Sequence, residues 1–520
     1  MDDREIELKL ALAPDDMARL RRHSCLEADR QGEPSSKRLV SIYFDTPDFS
    51  LAAAGISLRL RRVGDGHIQT IKTAGTAISG LFDRDEWEIP VATEALDHDH
   101  LRATGLAIFG DGALIEQLRP AFATEIDRTI YRLAGPDWEV EAAFDQGRVV
   151  VAERSEEICE LELELVRGRP RHLFSLARRV ADSVAVRPLS RSKAERGFRL
   201  ATGAGDAPVK GKAPPLDRDM SVAGAFQTIA RACLDHLLVN ERCLLATGDG
   251  EAIHQMRVAL RRLRSAIKLF RPILRRHPGK AEAPSTSELD EVKTNLRWLL
   301  ERLGPARDAD VFLAEIIDPV VAVHPDDDGL EALRRHWAAE RDAKLAAAID
   351  AVRGQRFTAL VLHLGQWVES GDWLGPESQP PGRRLAQPIA PFASQRLGKA
   401  MARLLRVAGD DFRRLSHEEL HAVRIQGKQV RYAGEFFAPL VPRKQMKVFL
   451  AELAELQDAL GQLNDIAVAG PKLNGRNVEG GRARAAGLVS GWHQSRRGAL
   501  LAQAEKAFKR WRNCPLPWTE

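Results

Sequence analysis

The stretch Glu5-Ile6-Glu7-Leu8-Lys9-Leu10 alternates charged and apolar residues without a break. Period two puts Glu5, Glu7 and Lys9 on one face of a strand and Ile6, Leu8 and Leu10 on the other. The same alternation recurs at Ser57–Arg61, Glu86–Ile89, Glu139–Glu141 and Cys159–Leu165, so residues 1–200 read as strand-rich. In every case the polar face carries charge, and both signs occur. A sandwich would turn such faces to water; a closed barrel can turn them inward onto a wet, ligand-sized lumen. Helical insertions are expected at Pro14–Leu26, around Ala113–Ala121 and at Arg171–Ala185.

A chain of 520 residues exceeds one compact core and predicts two or three domains. With 44% apolar and 29% charged residues it has the composition of an ordinary soluble globular protein. No apolar run approaches the roughly 20 residues of a membrane span, and MDDREIELKL does not read as a secretory signal. The cysteines (Cys25, Cys159, Cys233, Cys243, Cys514) are odd in number and match no metal spacing, so a reducing cytoplasmic setting is expected. Charge is uneven: residues 1–200 hold 29 Lys+Arg against 35 Asp+Glu, a net of −6, and the remainder 48 against 38, a net of +10. The second half is therefore expected to meet a polyanion.

The break between halves is Ala201–Asp217, a Gly/Ala/Pro-rich stretch without periodicity that reads as a linker. Beyond it, helical spacing runs through Met220–Ala246, Glu251–Phe270, Ser287–Leu303, Ala309–Ile317, Gly329–Val352, Ala393–Leu415, His417–Phe437, Arg443–Leu463 and Gly481–Trp511. Loops are expected at Gly371–Arg383 and Gly470–Gly481. There is an internal repeat. His254-x-x-Arg257-x-x-x-Arg261-x-x-Arg264 returns as His421-x-x-Arg424-x-x-x-Lys428-x-x-Arg431, and Gly304-Pro-Ala-Arg-Asp308 is echoed by Gly461-Gln-Leu-Asn-Asp465. Matched blocks in one order predict two duplicated helical bundles.

Two carboxylates on one strand face, Glu5 and Glu7, can share a hard divalent cation, with Lys9 beside it for an anionic substrate. Glu160, Glu162 and Glu164 form a second ladder, which would repel itself without cations nearby. Cations come from Arg59 and Arg61, from Lys72 after a hairpin at Gly64–Gly66, and from Arg128 and Arg132. Five such side chains in one lumen could bind three phosphates. A single charged strand is most often a solvated face; acidic ladders first and last with basic ones between make the stronger pattern. Asp97-His-Asp-His100 reads as a solvated loop rather than a metal site.

The order of these segments resembles the CYTH family, the triphosphate tunnel metalloenzymes. The resemblance is carried by Glu5-x-Glu7-x-Lys9, YFDTP (Tyr43–Pro47), GISLRLR (Gly55–Arg61), TIK (Thr70–Lys72), RDEWE (Arg84–Glu88), VEAAFDQG (Val140–Gly147), ELELE (Glu160–Glu164) and SKAERG (Ser192–Gly197). It implies an eight-stranded antiparallel tunnel that binds triphosphates with Mg²⁺ or Mn²⁺. Glu5, Glu7, Glu160, Glu162 (foremost of its strand), Glu164 and Asp145 are then the metal-side carboxylates, with Glu86 or Glu88 in support. Lys9, Arg59, Arg61, Lys72 and Arg128 grip the phosphates, and Lys193 is a further candidate. The implied reaction is hydrolysis of tripolyphosphate to pyrophosphate and phosphate. The alternatives are hydrolysis or cyclisation of an organic triphosphate (thiamine triphosphate, ATP), or a non-catalytic polyphosphate-binding adaptor.

In the second half, His254, Arg257, Arg261 and Arg264 share one helical face, which Arg262 widens; His421, Arg424, Lys428 and Arg431 repeat it. Stacked like charges destabilise a helix unless an anion or acids such as Asp308 and Asp465 face them. HQMRVALRRLR, LGPARDADV and HAVRIQGKQVRY resemble the CHAD domain, which implies binding of inorganic polyphosphate along that face, with Lys293 and Arg297 as weaker candidates. Nucleic acid is not expected, because aromatics are 6% and none interleaves the basic blocks. The resulting architecture is an α+β multidomain chain: a tunnel domain over 1–200, a linker over 201–219 and a helical domain over 220–515. A cytoplasmic location with association to polyphosphate granules follows from that reading.

Overall fold

Strand β1 (Arg4–Leu12) buries Leu8 and Leu10 completely on one face and Glu7 and Lys9 almost as deeply on the other, in a computed structural model of the chain. The structure describes residues 4–64, 66–274, 287–375, 382–473 and 481–518. They form two compact units, residues 1–207 with 354–370, and residues 208–353 with 371–520.

The first unit is a barrel. Its strands are β1, β2 (Arg30–Asp45), β3 (Ile56–Val63), β4 (Gly66–Thr73), β5 (Thr76–Ile78), β6 (Leu81–Val91), β7 (Arg119–Ala134), β8 (Glu139–Val151), β9 (Arg154–Arg167) and β10 (Val186–Pro188). An antiparallel ring of eight runs β1-β9-β8-β7-β2-β3-β4-β6 and closes where β6 pairs with β1; β5 and β10 are short additions at β6 and β1. Register follows the charge pattern: Lys9 lies opposite Glu162, Glu7 opposite Glu164, and Asp145 opposite both Glu160 and Arg128. The charged faces point inward. The apolar faces of β1 and β9 point outward, where helix Pro170–Ser183 covers them with Leu173, Phe174, Ala177 and Val180.

Local helix expectations hold with trimmed ends. Pro14–Leu26 resolves into Pro14–Leu20 and Ser24–Glu27, and the segment around Ala113–Ala121 into Gly112–Glu116, because Arg119 already opens β7. Asp97 is a helix cap: it accepts a hydrogen bond from His100 N at 2.9 Å and starts helix His98–Ala103, where the sequence reading had only a loop.

The second unit repeats a set of four helices: Val222–Thr247, Gly250–Leu274, Glu288–Val311 and Asp328–Arg353, then Ile389–Ala408, His417–Phe437, Arg443–Leu473 and Gly481–Arg512. In each set successive helices pack on one another, and the second helices of the two sets also touch. The expected break at Gly304-Pro305 is absent. A proline removes one backbone donor, and burial of Leu303, Ala306 and Ala309 carries the helix through it. Of the two expected loops, residues 376–381 and 474–480 lie outside the described residues.

Two findings depart from the sequence reading of the domain borders. The linker is pinned over part of its length: Val209 exchanges hydrogen bonds with the Asn240 side chain (both 2.9 Å), and Arg262 donates to Lys212 O at 2.9 Å. Asn240 and Arg262 are buried polar groups, and the linker backbone satisfies them. In addition, helix Gln355–Ser370, within the span assigned to the helical domain, belongs to the barrel unit. Thr358 Oγ1 donates to Val186 O at 3.0 Å and Gln355 Nε2 to Ala181 O at 2.7 Å. Its Gly365 lies so close to helix Pro170–Ser183 that a Cβ there would stand 2.5 Å from the Phe174 ring and 2.8 Å from Ser79 Cβ. Gly365→Val is therefore expected to destabilise the barrel unit by about 1–3 kcal/mol through overpacking. Urea unfolding measures it, and a midpoint equal to wild type would contradict this docking.

Candidate active site and phosphate groove

The barrel encloses a cavity of about 180 Å³ whose walls carry acids and bases in equal number. Of the residues expected there, Glu5, Glu7, Lys9, Arg59, Arg61, Lys72, Arg128, Asp145, Glu162, Glu164 and Lys193 all line it, together with Glu86 and Glu88. Glu160 is fully buried behind them and pairs with Lys193. Arg132 is exposed and lines no part of the lumen, since it stands beyond Ile130 toward the strand end. Arg84, Lys37, Tyr43 and Glu141 are lumen residues that the sequence reading did not single out. Arg84 was legible: it precedes Glu86 and Glu88 in the same period-two row.

Charges are paired in two groups that Glu7 joins through Lys9 and Arg84. Lys193 Nζ lies 2.7 Å from Asp145 and 2.9 Å from Glu162 and also meets Glu160, while Arg128 is bidentate to Asp145 (2.7 and 2.6 Å) and reaches Glu162. Lys9 joins Glu7 at 2.8 Å and also pairs with Glu162. In the second group Lys72 bridges Glu5 (2.7 Å) and Glu86 (2.8 Å), and Arg84 bridges Glu5 (2.9 Å) and Glu7. Burial alone would raise these carboxyls, yet Lys72 and Arg84 hold Glu5 well below the carboxylate range, and Lys193, Lys9 and Arg128 do the same for Glu162.

The pairing leaves a surplus of each sign. Glu164 has no ion-pair partner among the described residues, and burial, reinforced by Glu5, pushes it up to about 7. Glu141 stands opposite it on β8, likewise unpaired among the described residues. The opposite surplus is at Arg59 and Arg61. Arg61 makes no ion pair among the described residues and donates only to Ser41 Oγ at 3.3 Å; burial, then Arg59 and Arg128, depress it to about 10. Arg59 reaches Glu88 at 3.5 Å, but its buried Nε has no partner. Burial would raise the Tyr43 phenol, yet Arg59 and Arg61 hold it below its ordinary value.

Asp145, Glu160 and Glu162 present oxygens within 4.8 Å of one another, a donor set suited to a hard divalent cation. Lys193 Nζ stands among them. The row Glu7, Glu164 and Glu141 across β1, β9 and β8, with Glu5 beside it, is where carboxylate charge exceeds its cations, although among the described residues only Asp145, Glu160 and Glu162 bring three carboxylates' oxygens within 4.8 Å of one another.

The SKAERG segment explains how Lys193 reaches the lumen. Ser192 caps helix Lys193–Thr202 in a reciprocal box with Glu195, which turns Lys193 into the carboxylates. Ala194 and Phe198 form an apolar cluster with Leu39, Tyr43, Phe122 and Ile126, and a Cβ on Gly197 would collide with the Phe122 ring. In YFDTP, Asp45 is structural: its carboxylate accepts from the N–H groups of Thr46, Leu51 and Ala52 at 2.7–2.9 Å.

In the helical unit, helices Gly250–Leu274 and His417–Phe437 wall a groove of two joined recesses, about 370 and 720 Å³. His254, Arg257, Arg261, Arg262, Arg424, Lys428 and Arg431 line it as expected; Arg307, present in the repeated Gly304–Asp308 block but not singled out there, and Lys472 and Lys210 add further cations. Arg264 is exposed and lines neither recess. His421 stays at the edge, bonded to Asn464 Oδ1 at 2.8 Å. Lys293 pairs locally with Asp290, and neither it nor Arg297 lines the groove. Asp308 meets Arg257 only at 3.6 Å and is mostly exposed. Arg431 pairs with Glu435 at 2.8 Å, but Lys428 makes no ion pair among the described residues, and burial, then Arg261 and Arg424, depress it to about 7.

Comparison with known proteins agrees with this division. The CYTH domain family matches residues 3–198 and the CHAD domain family residues 228–474. The inorganic triphosphatase of Haemophilus influenzae is 33% identical over 197 residues, 38% of this chain and 54% of the relative, so the chain spans about half that protein's length. An uncharacterised protein of Mycobacterium tuberculosis is 26% identical over 459 residues, covering 83% of this chain and 82% of its own. The crystal structure of the CHAD domain from the plant Ricinus communis shares 30% identity over 60% of this chain and 99% of its own, with a TM-score of 0.49. With its charged barrel under one match and its duplicated helices under the other, the chain carries a CYTH domain over residues 3–198 followed by a CHAD domain over residues 228–474.

Proposed function

We propose that the barrel hydrolyses inorganic triphosphate to pyrophosphate and phosphate with Mg²⁺ or Mn²⁺, and that the helical unit holds inorganic polyphosphate. The observation that carries the first part is the segregated surplus in the lumen, unpaired Glu164 and Glu141 on one side and unpaired Arg61 with half-satisfied Arg59 on the other. A triphosphate chain lying between them satisfies the arginines directly. Glu5, Glu7, Glu162 and Glu164 would hold the divalent cation, which supplies neutralisation of phosphate oxygens and a more acidic water. Arg59, Arg61 and Lys37 receive the phosphate oxygens, while Lys9, Arg128 and Lys193 keep Glu162 ionised and oriented. This positioning favours in-line attack on the terminal phosphorus, and leaving-group charge develops beside fixed cations.

An inorganic substrate is favoured over an organic triphosphate by the walls. Among the described residues their one aromatic, Tyr43, is buried and stacks on Phe122 (centroids 4.5 Å, 13°), so that ring face is not free for a base. The 33% identity to an inorganic triphosphatase supports the same choice. On the polyphosphate reading of the helical unit, we propose a cytoplasmic protein at polyphosphate granules; separately, no helix among the described residues is long and apolar enough to cross a membrane.

Glu7→Gln is expected to reduce EDTA-sensitive phosphate release from tripolyphosphate by about a hundredfold or more, as for loss of a principal electrostatic group. Arg61→Ala should do likewise while leaving the fold intact, because no ion pair is broken. Release from tripolyphosphate, ATP and thiamine triphosphate is compared with Mg²⁺, Mn²⁺ or EDTA; equal turnover of all three would refute the inorganic specificity, and turnover by Glu7→Gln at the wild-type rate would refute the metal site.

Arg257→Ala with Arg424→Ala is expected to weaken polyphosphate binding at least tenfold and to spare tripolyphosphate turnover. Affinity should also rise as pH falls from 8 to 6. Lys428, with Arg261, Arg424, Arg431 and Asp465 about it, is neutral above about 7 and gains its charge below. Isothermal titration across that range reads both effects, and Lys428→Met should flatten the profile.

A further inference from the structure

A second cationic recess lies on the helical unit, outside the repeated motif. Helix Ile389–Ala408 carries Arg396, Lys399 and Arg403 at i, i+3 and i+7, one face. Lys268 of helix Gly250–Leu274 shares the recess with them, and Ser265 and Gln429 help complete walls around about 90 Å³. No carboxylate lines it, and none of the four cations has an ion-pair partner among the described residues. Lys268 Nζ donates to Gln429 Oε1 at 2.7 Å, whereas Arg396 reaches only the Lys268 carbonyl, at 3.5 Å, and its buried Nε has no partner. Burial and the nearby Arg403 depress both Lys268 and Arg396. Surface cations ordinarily splay apart into water; here four converge with a donor left unmet, an arrangement that an anion relieves.

The position of the recess ties it to the groove. Arg257, Arg261, Arg264 and Lys268 follow at four, three and four residues and form one stripe. The first two line the groove and the last lines the recess. Arg264, exposed and part of neither, lies between them on the stripe. At 1.5 Å rise per residue, Lys268 is about 10 Å beyond Arg261 along the axis.

We propose that this recess is a second phosphate subsite, taking phosphate oxyanions of a chain that leaves the groove across Arg264. It rests on the reading of the helical unit as a polyphosphate binder. The shared chemistry is the phosphate oxyanion, so a free short phosphate would be recognised by the same donors.

The test uses the full chain with Lys399→Gln and Arg403→Gln, both exposed and unpaired, so folding is retained and the unfolding temperature stays level or rises. Long-chain polyphosphate and pyrophosphate are titrated over a salt series, alongside Arg257→Ala/Arg424→Ala. The recess variant should bind long chains about tenfold more weakly. Its slope of log affinity against log salt should be shallower by about 1.4, from two lost cations at about 0.7 each, with tripolyphosphate turnover as in wild type. Pyrophosphate binding that survives in the groove variant and disappears when the recess substitutions are added assigns the subsite to short phosphates. A loss confined to the recess variant, with the groove variant unaffected, keeps the subsite and removes the groove reading. Wild-type long-chain affinity and salt slope in the recess variant, with no change in pyrophosphate binding, overturn the subsite.

Discussion

Charge buried inside the barrel is the constraint on which the tunnel depends. A lone buried carboxylate or ammonium costs several kcal/mol, and burial is tolerated only where each ion finds partners. Lys193, Lys9 and Arg128 interlock with Asp145, Glu160 and Glu162, and Lys72 and Arg84 with Glu5, Glu7 and Glu86. Cross-strand register must bring these residues level. A slip of one residue would turn every charge outward and every leucine inward. Helix Pro170–Ser183 packs on the outer faces of β1 and β9, and the capped helix Lys193–Thr202 delivers Lys193 to the carboxylates.

The helical unit meets the opposite condition. Its groove gathers more cations than acids, and burial with mutual repulsion depresses His254, Arg257, Arg424 and Lys428. That arrangement is tolerable because the groove is open to water and counter-ions. In the barrel most cations are locked in close pairs; in the groove Arg261, Arg424 and Lys428 make no ion pair among the described residues, which suits salt-sensitive binding of a polyanion over specific chemistry.

Period-two charge was enough to place Glu5, Glu7, Lys9, Arg59, Arg61 and Lys72 on lumen faces, because a strand's side-chain direction is a local property. Arg132 misled for the same reason: parity gives the face but not the distance along the barrel. Arg264 failed likewise. Its helical phase matched Arg257 and Arg261, yet the groove wall ends before it reaches that turn. Lys210 and Lys472 had no signal, since they come from a linker and another helix that only packing brings alongside, whereas Arg307 stood inside the repeated Gly304–Asp308 block without being picked out.

By itself the sequence determined the two-part architecture, the strand faces, the duplicated helices and most charged residues of both sites, since alternation, helical phase and caps are short-range. Tertiary structure alone decided which acids remain unpaired, that Arg84 bridges Glu5 and Glu7, that residues 209–212 are pinned to the helices, and that helix Gln355–Ser370 joins the barrel unit. Those outcomes depend on which buried polar group or apolar face finds its partner across the fold, and no local pattern encodes a partner tens to hundreds of residues away.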